Sequence, residues 1–258
     1  MLFQRRSRPV IGLDITTSSI KLIELSRSGD GYRVESYAAE PSPPNAINEK
    51  AIVDAQAVGE AVRRAVKRAG ARAKEVAVAI SGDAAITKVI QMPRNLREAE
   101  LESQVEMQAD QYIPFPMEEV SFDFEVIGPS EKDPEMLDVL LVATRSENVE
   151  QRQASVQSAG LAARIVDVEA FALENACRLL THQMPDGGMD RNIAVIDFGA
   201  SSTTFSVLRD LKVTYTRDFA FGGQQLTEEI MRTYGLSMEE AGRAKKEGGL
   251  PANYQAEV

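Results

Sequence analysis

The stretch Val10-Ile11-Gly12-Leu13-Asp14-Ile15-Thr16-Thr17-Ser18-Ser19-Ile20-Lys21-Leu22 decides how the rest of the chain is read, because its pattern occurs twice. The second copy is Ile193-Ala194-Val195-Ile196-Asp197-Phe198-Gly199-Ala200-Ser201-Ser202-Thr203-Thr204-Phe205. In each copy an apolar run leads into an Asp, a short turn of small and hydroxyl residues follows, and a second strand returns. Branched apolar residues fit a pleated sheet, and small polar residues fit tight turns. Each copy therefore predicts a β-hairpin whose first strand ends in a carboxylate. Duplication at this separation implies two similar domains.

The residue types suit phosphate chemistry. Small residues let backbone N–H groups approach an anion closely and form a nest, and Ser and Thr hydroxyls add donors. A carboxylate at the strand end would repel phosphate unless a cation lay between, so it suits Mg²⁺ held through water. Two such turns, one per domain, could clamp a triphosphate. The same residues would also serve two plain hairpins with polar turns. Neither G-x-x-x-x-G-K-[ST] nor G-x-G-x-x-G occurs, so a nucleotide would be bound through the repeated turns.

Working outward from the first copy, Val10 to Ile15 and Ser19 to Leu25 read as strands. Gly29-Asp30-Gly31 is a hairpin turn, and Tyr32 to Ala38 is the returning strand. Pro41, Pro43 and Pro44 break the pattern. A helix is expected over Ile52 to Ala69, with Val58, Ala61, Val62, Ala65, Val66 and Ala69 on one face and Gly70 as its stop. Val76 to Ile80 is a buried strand.

Residues 82–163 read as an inserted small subdomain. Asn95 with Glu98 predicts a capping box for a helix to about Tyr112, which Ile113-Pro114-Phe115-Pro116 ends. Val120 to Val126 alternates, with Phe122, Phe124 and Val126 opposite Asp123 and Glu125, and Leu137 to Ala143 is a more buried strand. Ser146 is expected to cap a helix closing at Gly160. The first lobe is thus 9–81 with 164–185, where Arg164 to Val168 is a strand and Ala170 to about Thr181 a crossing helix carrying Cys177 and His182. After the Pro185-Asp186-Gly187-Gly188 linker, residues 190–258 form a partial second lobe. Its strands are Asn192 to Ile196, Thr203 to Leu208 and Lys212 to Thr216, and its helices are Leu226 to Tyr234 and Met238 to about Lys246, ending at Gly248-Gly249.

Composition narrows the chemistry. Across 258 residues, Asp plus Glu (39) exceed Lys plus Arg (29), a net charge of −10. That balance argues against a general nucleic-acid binder. One cysteine, Cys177, excludes an intramolecular disulfide, and one histidine, His182, excludes a His-cluster metal site. The expected compartment is reducing. No apolar run approaches the roughly 18–20 residues that span a bilayer. The basic start, Arg5-Arg6-Ser7-Arg8, is no signal peptide; it reads as a solvated end or a weak contact with anionic lipid.

Several blocks carry a family likeness: Glu40-Pro41-Ser42-Pro43-Pro44-Asn45, Ile86-Thr87-Lys88-Val89-Ile90, Ala109-Asp110-Gln111-Tyr112-Ile113-Pro114-Phe115-Pro116, Val166-Asp167-Val168-Glu169-Ala170 and Phe221-Gly222-Gly223-Gln224-Gln225-Leu226. With the paired turns, they resemble the actin, Hsp70 and hexokinase superfamily, its FtsA-like branch, and within it the PilM family of type IV pilus assembly. The likeness covers the chain beyond about residue 9. It implies an α/β, actin-like (ribonuclease H-like) ATPase fold with an inserted small subdomain. Members of that family run on past this point, so the chain is expected to be a fragment whose second lobe is incomplete. Apolar faces on the 193–216 strands would then be partly exposed and nucleotide affinity reduced.

The resemblance also implies residue roles. Asp14 and Asp197 would hold Mg²⁺ with ATP, and Thr16, Thr17, Ser18, Ser19, Gly199, Ala200, Ser201 and Ser202 would line the phosphate turns. Lys21 would contact phosphate, and Glu169 would orient the attacking water, although a first-turn Glu also suits a helix dipole. Gly222 and Gly223 would lie near the sugar, with Glu240 and Lys245 on the helix pair that brackets adenosine. Where FtsA-like proteins show Ala-Glu-x-x-Lys, this chain has Ala241-Gly242-Arg243-Ala244-Lys245.

The implied partner is the N-terminal cytoplasmic peptide of PilN, a single-span inner-membrane protein, held in a groove between the first subdomain and the insertion. Contacts with pilus motor ATPases and a homo-oligomer are compatible with the likeness. The implied location is the cytoplasm, at the inner membrane's cytoplasmic face. Three functions stay open: a nucleotide-dependent scaffold with weak ATPase activity at most, a small-molecule kinase, and a pseudo-ATPase adaptor, pilus-related or of the FtsA cell-division kind. No further Asp-bearing loop stands out as a kinase base.

Overall fold

Both predicted hairpins form, in matching register. The computed structural model describes residues 9–29 and 31–248. The basic start, Asp30 of the first hairpin and the residues from Gly249 onward lie outside the described residues. The chain divides into two units, one ending at Gly187 and one beginning at Gly188.

The first unit contains β1 (Val10–Ile15), β2 (Ser19–Ser28), β3 (Gly31–Pro41), β4 (Ile47–Asn48), β5 (Ala51–Ile52), α1 (Ala55–Ala69), β6 (Glu75–Ile80), β7 (Ala85–Pro93), α2 (Glu98–Ala109), β8 (Val120–Pro129), β9 (Met136–Arg145), α3 (Ser146–Ser158), β10 (Ala162–Val168) and α4 (Glu169–Arg178). The second contains β11 (Asn192–Phe198), β12 (Thr203–Arg209), β13 (Lys212–Phe219), α5 (Gly223–Tyr234) and α6 (Met238–Glu247).

The main sheet runs β10-β6-β1-β2-β3. β1, β6 and β10 are parallel, and β1-β2-β3 is an antiparallel meander. Ile11, Leu13, Ile20, Leu22, Val76 and Val78 point to one face and are buried against α1, whose Val58, Ala61, Val62 and Ala65 form the facing stripe. That is the 3.6-residue stripe meeting the alternating face of a sheet. α3 lies beside α1, and its Val156 joins the same core.

Gly59 lets the two helices approach. A Cβ there would stand 2.6 Å from the Ser155 carbonyl oxygen and 2.6 Å from Ser158 Cβ. The segment from β7 to β9 folds into a second sheet, β7-β9-β8, covered by α2. Ile90, Met92, Val105, Val139 and Leu141 are its fully buried centre. The expected insertion, 82–163, includes α3, whose buried face lies in the first core.

Several local expectations are corrected. The first helix starts at Ala55, not Ile52, because Ala51–Ile52 pairs with Ile47–Asn48 and Asp54 Oδ1 accepts the Ala57 N–H as the N-cap. Its end is as read: Gly70 takes φ 65°. The capping contact of α2 is made by Arg97 and Glu100, not Asn95 and Glu98, since Arg97 N–H donates to Glu100 Oε2. Ser146 is the first helical residue of α3 and its hydroxyl bonds Ser121 instead of capping. Val126 is exposed, in contrast to Phe122 and Phe124. α5 begins at Gly223, ahead of Leu226. His182 lies in a short 3₁₀ turn after α4, not on the helix.

The second unit is an antiparallel β11-β12-β13 sheet with α5 and α6. Leu208 and Ile230 are fully buried there. Within this unit Ile196, Phe198, Tyr215 and Phe219 are exposed.

Candidate functional site

The first turn is closed by its own side chains. Thr16 N–H donates to the Ser19 carbonyl at 3.0 Å. Thr16 Oγ1 donates to the same carbonyl and accepts the Ser19 N–H. Ser42 braces the turn from outside: its hydroxyl donates to the Thr16 carbonyl at 2.6 Å, and its N–H to the Ser18 carbonyl. Asp14 and Lys21 are cross-strand partners, with Lys21 Nζ 2.8 Å from Asp14 Oδ2. Both side chains are about half exposed, so the pair contributes little to stability. A carboxylate and an ammonium stand together beside a row of hydroxyls.

The second turn repeats this closure. Gly199 N–H donates to the Ser202 carbonyl at 2.9 Å, the counterpart of Thr16 to Ser19. Asp197 pairs across the strand with Thr204, where Asp14 faces Lys21. The Thr204 hydroxyl turns instead to Asp218. Thr203, nearly buried, donates to the Phe221 carbonyl at 2.7 Å.

The start of α5 sits on the second turn. Gly223 N–H and Gln224 N–H donate to the Gly199 and Ala200 carbonyls at 3.0 and 2.8 Å. Gly222 is required by closeness: a Cβ would lie 2.5 Å from the Ala200 carbonyl oxygen. Lys245 reaches from α6 to the Gly223 carbonyl at 2.7 Å and to Thr227 Oγ1 at 2.8 Å, tying the two helices together.

Glu240 caps its own helix. Its carboxylate accepts the Ser237 hydroxyl at 2.7 Å and the Ser237 N–H at 2.9 Å, and these bonds hold its pKa below the ordinary 4.5. A carboxylate with a lowered folded-state pKa contributes stability that is present above the unfolded value and lost as pH falls through the folded one. The melting-temperature difference between the wild type and Glu240→Gln should therefore be seen at neutral pH and shrink as pH falls below 4.5 toward the lowered folded-state value, which a pH series of thermal melts checks.

Glu169 opens α4 at the carboxyl end of β10. Its neighbours β6 and β1 are parallel to it and end in Ser81 and in the Asp14 turn, on the edge where ligands of such sheets bind. Lys50 Nζ lies 3.8 Å from Glu169 Oε2. Arg152 of α3 is 4% exposed, and burial lowers its pKa while the charge of Glu169 opposes that shift. Cys177 is buried; burial, with the charge of Glu174, pushes its thiol up, which suits a core residue and not a nucleophile.

No group of three or more His, Cys, Asp or Glu side chains among the described residues could hold a metal ion by itself. Single carboxylates such as Asp14 and Asp197 fit Mg²⁺ in its usual mode, with one or two carboxylates, waters and substrate phosphates as ligands. No helix among the described residues is long and apolar enough to cross a membrane.

Comparison with known proteins agrees with this architecture. The family model for type IV pilus assembly protein PilM matches residues 12–258. A chain of the PilM-PilN type IV pilus biogenesis complex is 30% identical, with a TM-score of 0.75 over 94% of this chain and 70% of that one. The cell division protein FtsA of Bacillus subtilis is 27% identical over 261 residues, and the match takes in 93% of this chain but only 58% of that relative's length. The ethanolamine utilization protein EutJ of Carboxydothermus hydrogenoformans shares the fold at 18% identity, with a TM-score of 0.53 over 93% of this chain and 62% of that one. The fold is thus the actin-like one that the resemblance implied, and the chain belongs to the PilM family of type IV pilus assembly proteins.

Proposed function

We propose that the chain acts as a Mg-ATP-binding scaffold of type IV pilus assembly that holds the N-terminal peptide of PilN at the cytoplasmic face of the inner membrane. The observation carrying the nucleotide reading is the repeated turn: two Asp-ended strands, each followed by a turn closed by the same N–H to carbonyl bond. Small and hydroxyl residues at Thr16 to Ser19 and Gly199 to Ser202 offer backbone and side-chain donors for phosphate oxygens. Lys21 is a compact cation for the outer phosphates, and Asp14 and Asp197 hold Mg²⁺ through water. Glu169, 3.8 Å from Lys50 Nζ, orients water for slow hydrolysis. Gly222 and Gly223 keep the start of α5 close to the second turn, Lys245 ties α6 to α5, and a nucleoside would lie beside that pair, near Glu240.

The peptide reading rests on the family and on the relative solved in the PilM-PilN complex. The first unit carries the main sheet and the β7-β9-β8 sheet, the two walls that groove requires.

Two titrations of the full chain test these readings separately. Mg-ATP should raise the melting temperature saturably, and Asp14→Ala should weaken that binding by roughly tenfold or more, the worth of one charge-assisted contact. The cognate PilN peptide should bind both proteins. Absence of a Mg-ATP response sinks the nucleotide reading, and absence of peptide binding sinks the partner. Hydrolysis no faster than in Asp14→Ala would select the adaptor without turnover.

A further inference from the structure

Residues 63–74 hold six of the chain's 29 Lys and Arg and no Asp or Glu, in a protein whose net charge is −10. Arg63, Arg64, Lys67 and Arg68 lie on the outer side of α1, and Arg72 and Lys74 in the loop that leads from it to β6. All six are exposed. Arg63 and Lys67, like Arg64 and Arg68, are spaced four apart, so like charges stand one above the other. By itself that arrangement destabilises a helix; an anion laid against it removes the penalty.

Nearby acids do not neutralise the run. Glu40 is taken by Arg68 and Glu75 by Arg164, each at 2.8 Å. Glu60, exposed one turn before Arg64, is outnumbered. Arg63 donates to the Ser158 carbonyl. Arg64, Lys67, Arg72 and Lys74 enter none of the ion pairs among the described residues.

The position of this face matters as much as its charge. Parallel β1 and β6 start side by side, Val10 against Glu75. The loop with Arg72 and Lys74 therefore lies at the amino edge of the main sheet, where the sequence leading into β1, Arg5-Arg6-Ser7-Arg8, is basic too. The Asp14 turn and the start of the insertion follow the opposite, carboxyl ends of the same strands. An anion on the basic face leaves both free.

The kind of anion follows from what the face lacks. Val58, Ala61, Val62 and Ala65, the apolar side of α1, are buried in the main core. No large apolar side chain of residues 55–74 is exposed. Protein interfaces centre on buried apolar and aromatic residues, whereas a layer of lipid phosphates asks for charge alone, and clusters of about four to eight Lys and Arg serve that contact.

We propose that this face binds the phosphates of an anionic lipid leaflet directly, through Arg64, Lys67, Arg72 and Lys74. The choice of a membrane as the anionic surface rests on the proposed place of action at the inner membrane, and not on the nucleotide reading. α1 stays seated on its sheet, so the contact is peripheral, electrostatic and sensitive to salt. It gives the chain a second hold at the membrane beside the PilN peptide.

The test is sedimentation of the full chain with vesicles of phosphatidylglycerol and phosphatidylethanolamine, against vesicles of phosphatidylcholine. Only the first should carry the chain down, saturably, and about 1 M salt should release it, because the screening length falls to roughly 3 Å. Arg64→Gln, Lys67→Gln and Lys74→Gln together should weaken vesicle binding by roughly a hundredfold, about fivefold per charge. Their melting temperature should stay within about 2 °C of the wild type, since no ion pair is lost. Lys132→Gln, Lys212→Gln and Lys246→Gln together change the net charge equally from exposed positions outside the face, and should weaken binding far less. Equal weakening by the two sets, equal binding to phosphatidylcholine, or no vesicle binding would each overturn the proposal. Self-association that the first set abolishes, without vesicle binding, would assign the face to a second copy and overturn it as well. A chain that binds the PilN peptide but no vesicle would sink this inference alone and leave the scaffold reading in place.

Discussion

Gly59→Val lowers the melting temperature of this chain by roughly 6–12 °C, the equivalent of about 3 kcal/mol in a protein of this size. The cause is the contact between α1 and α3. A Cβ at residue 59 would overlap the Ser155 carbonyl oxygen and Ser158 Cβ, both at 2.6 Å. Neither atom can rotate away as a long side chain would. The helices must part, which also loosens Val58, Val62 and Val156 in the main core and the bond from Arg63 to the Ser158 carbonyl. Gly59→Ala is the sharper test. Helix propensity alone favours alanine by about 1 kcal/mol, whereas overpacking costs about 1–3 kcal/mol. At 2.6 Å against backbone the second effect wins, so alanine should also lower the melting temperature, by a few degrees. A rise on thermal denaturation would show that the helices are not so closely packed.

Gly222→Ala has its largest effect in the second unit. The added carbon would lie 2.5 Å from the Ala200 carbonyl oxygen, 2.6 Å from the Ala200 carbonyl carbon and 2.8 Å from the Gly199 carbonyl oxygen. All three atoms belong to backbone that accepts the first bonds of α5, from Gly223 and Gln224. Losing two backbone hydrogen bonds costs about 1–3 kcal/mol, and the steric displacement adds about 1–3 kcal/mol. Hydrogen exchange should report it directly: the amides of Gly223 and Gln224 lose protection, while those of β1 and β6 keep theirs. Unchanged protection at both amides would contradict the close approach of the helix to the turn.

The hairpins, the stripe of α1 and the end of that helix at Gly70 were legible because each rests on local chemistry. Alternation, a 3.6-residue period and a left-handed glycine all act within a few residues. The start of α1 was not legible, since Ala51–Ile52 is drawn into a two-residue ladder with Ile47–Asn48, a pairing too short to leave a pattern. The cap at Arg97 was missed for a related reason: the cap bond runs from backbone N–H to Glu100, so the identity of the first residue carries no signal.

Arg152 is a harder case. Arg152 looks like one more polar residue on a polar helix, and only the fold brings it under the carbonyls of Ala79 and Lys50, far away in sequence. The bracing role of Ser42 was not legible, because only the fold brings its hydroxyl to the Thr16 carbonyl, 26 residues away. The roles of Asp14 and Asp197 were suggested by recurrence, which a single sequence can reveal without any alignment. The partner of each could not be read the same way, because cross-strand register decides it.

The difference between the two copies, Lys21 against Asp14 in one and Thr204 across from Asp197 in the other, makes the first behave like a two-key lock. On the proposed reading, a divalent ion arriving alone would compete with an ammonium for Asp14, whereas one that comes with a polyanion would offer the displaced Lys21 new oxygens in the same event, so that cation and anion would bind jointly.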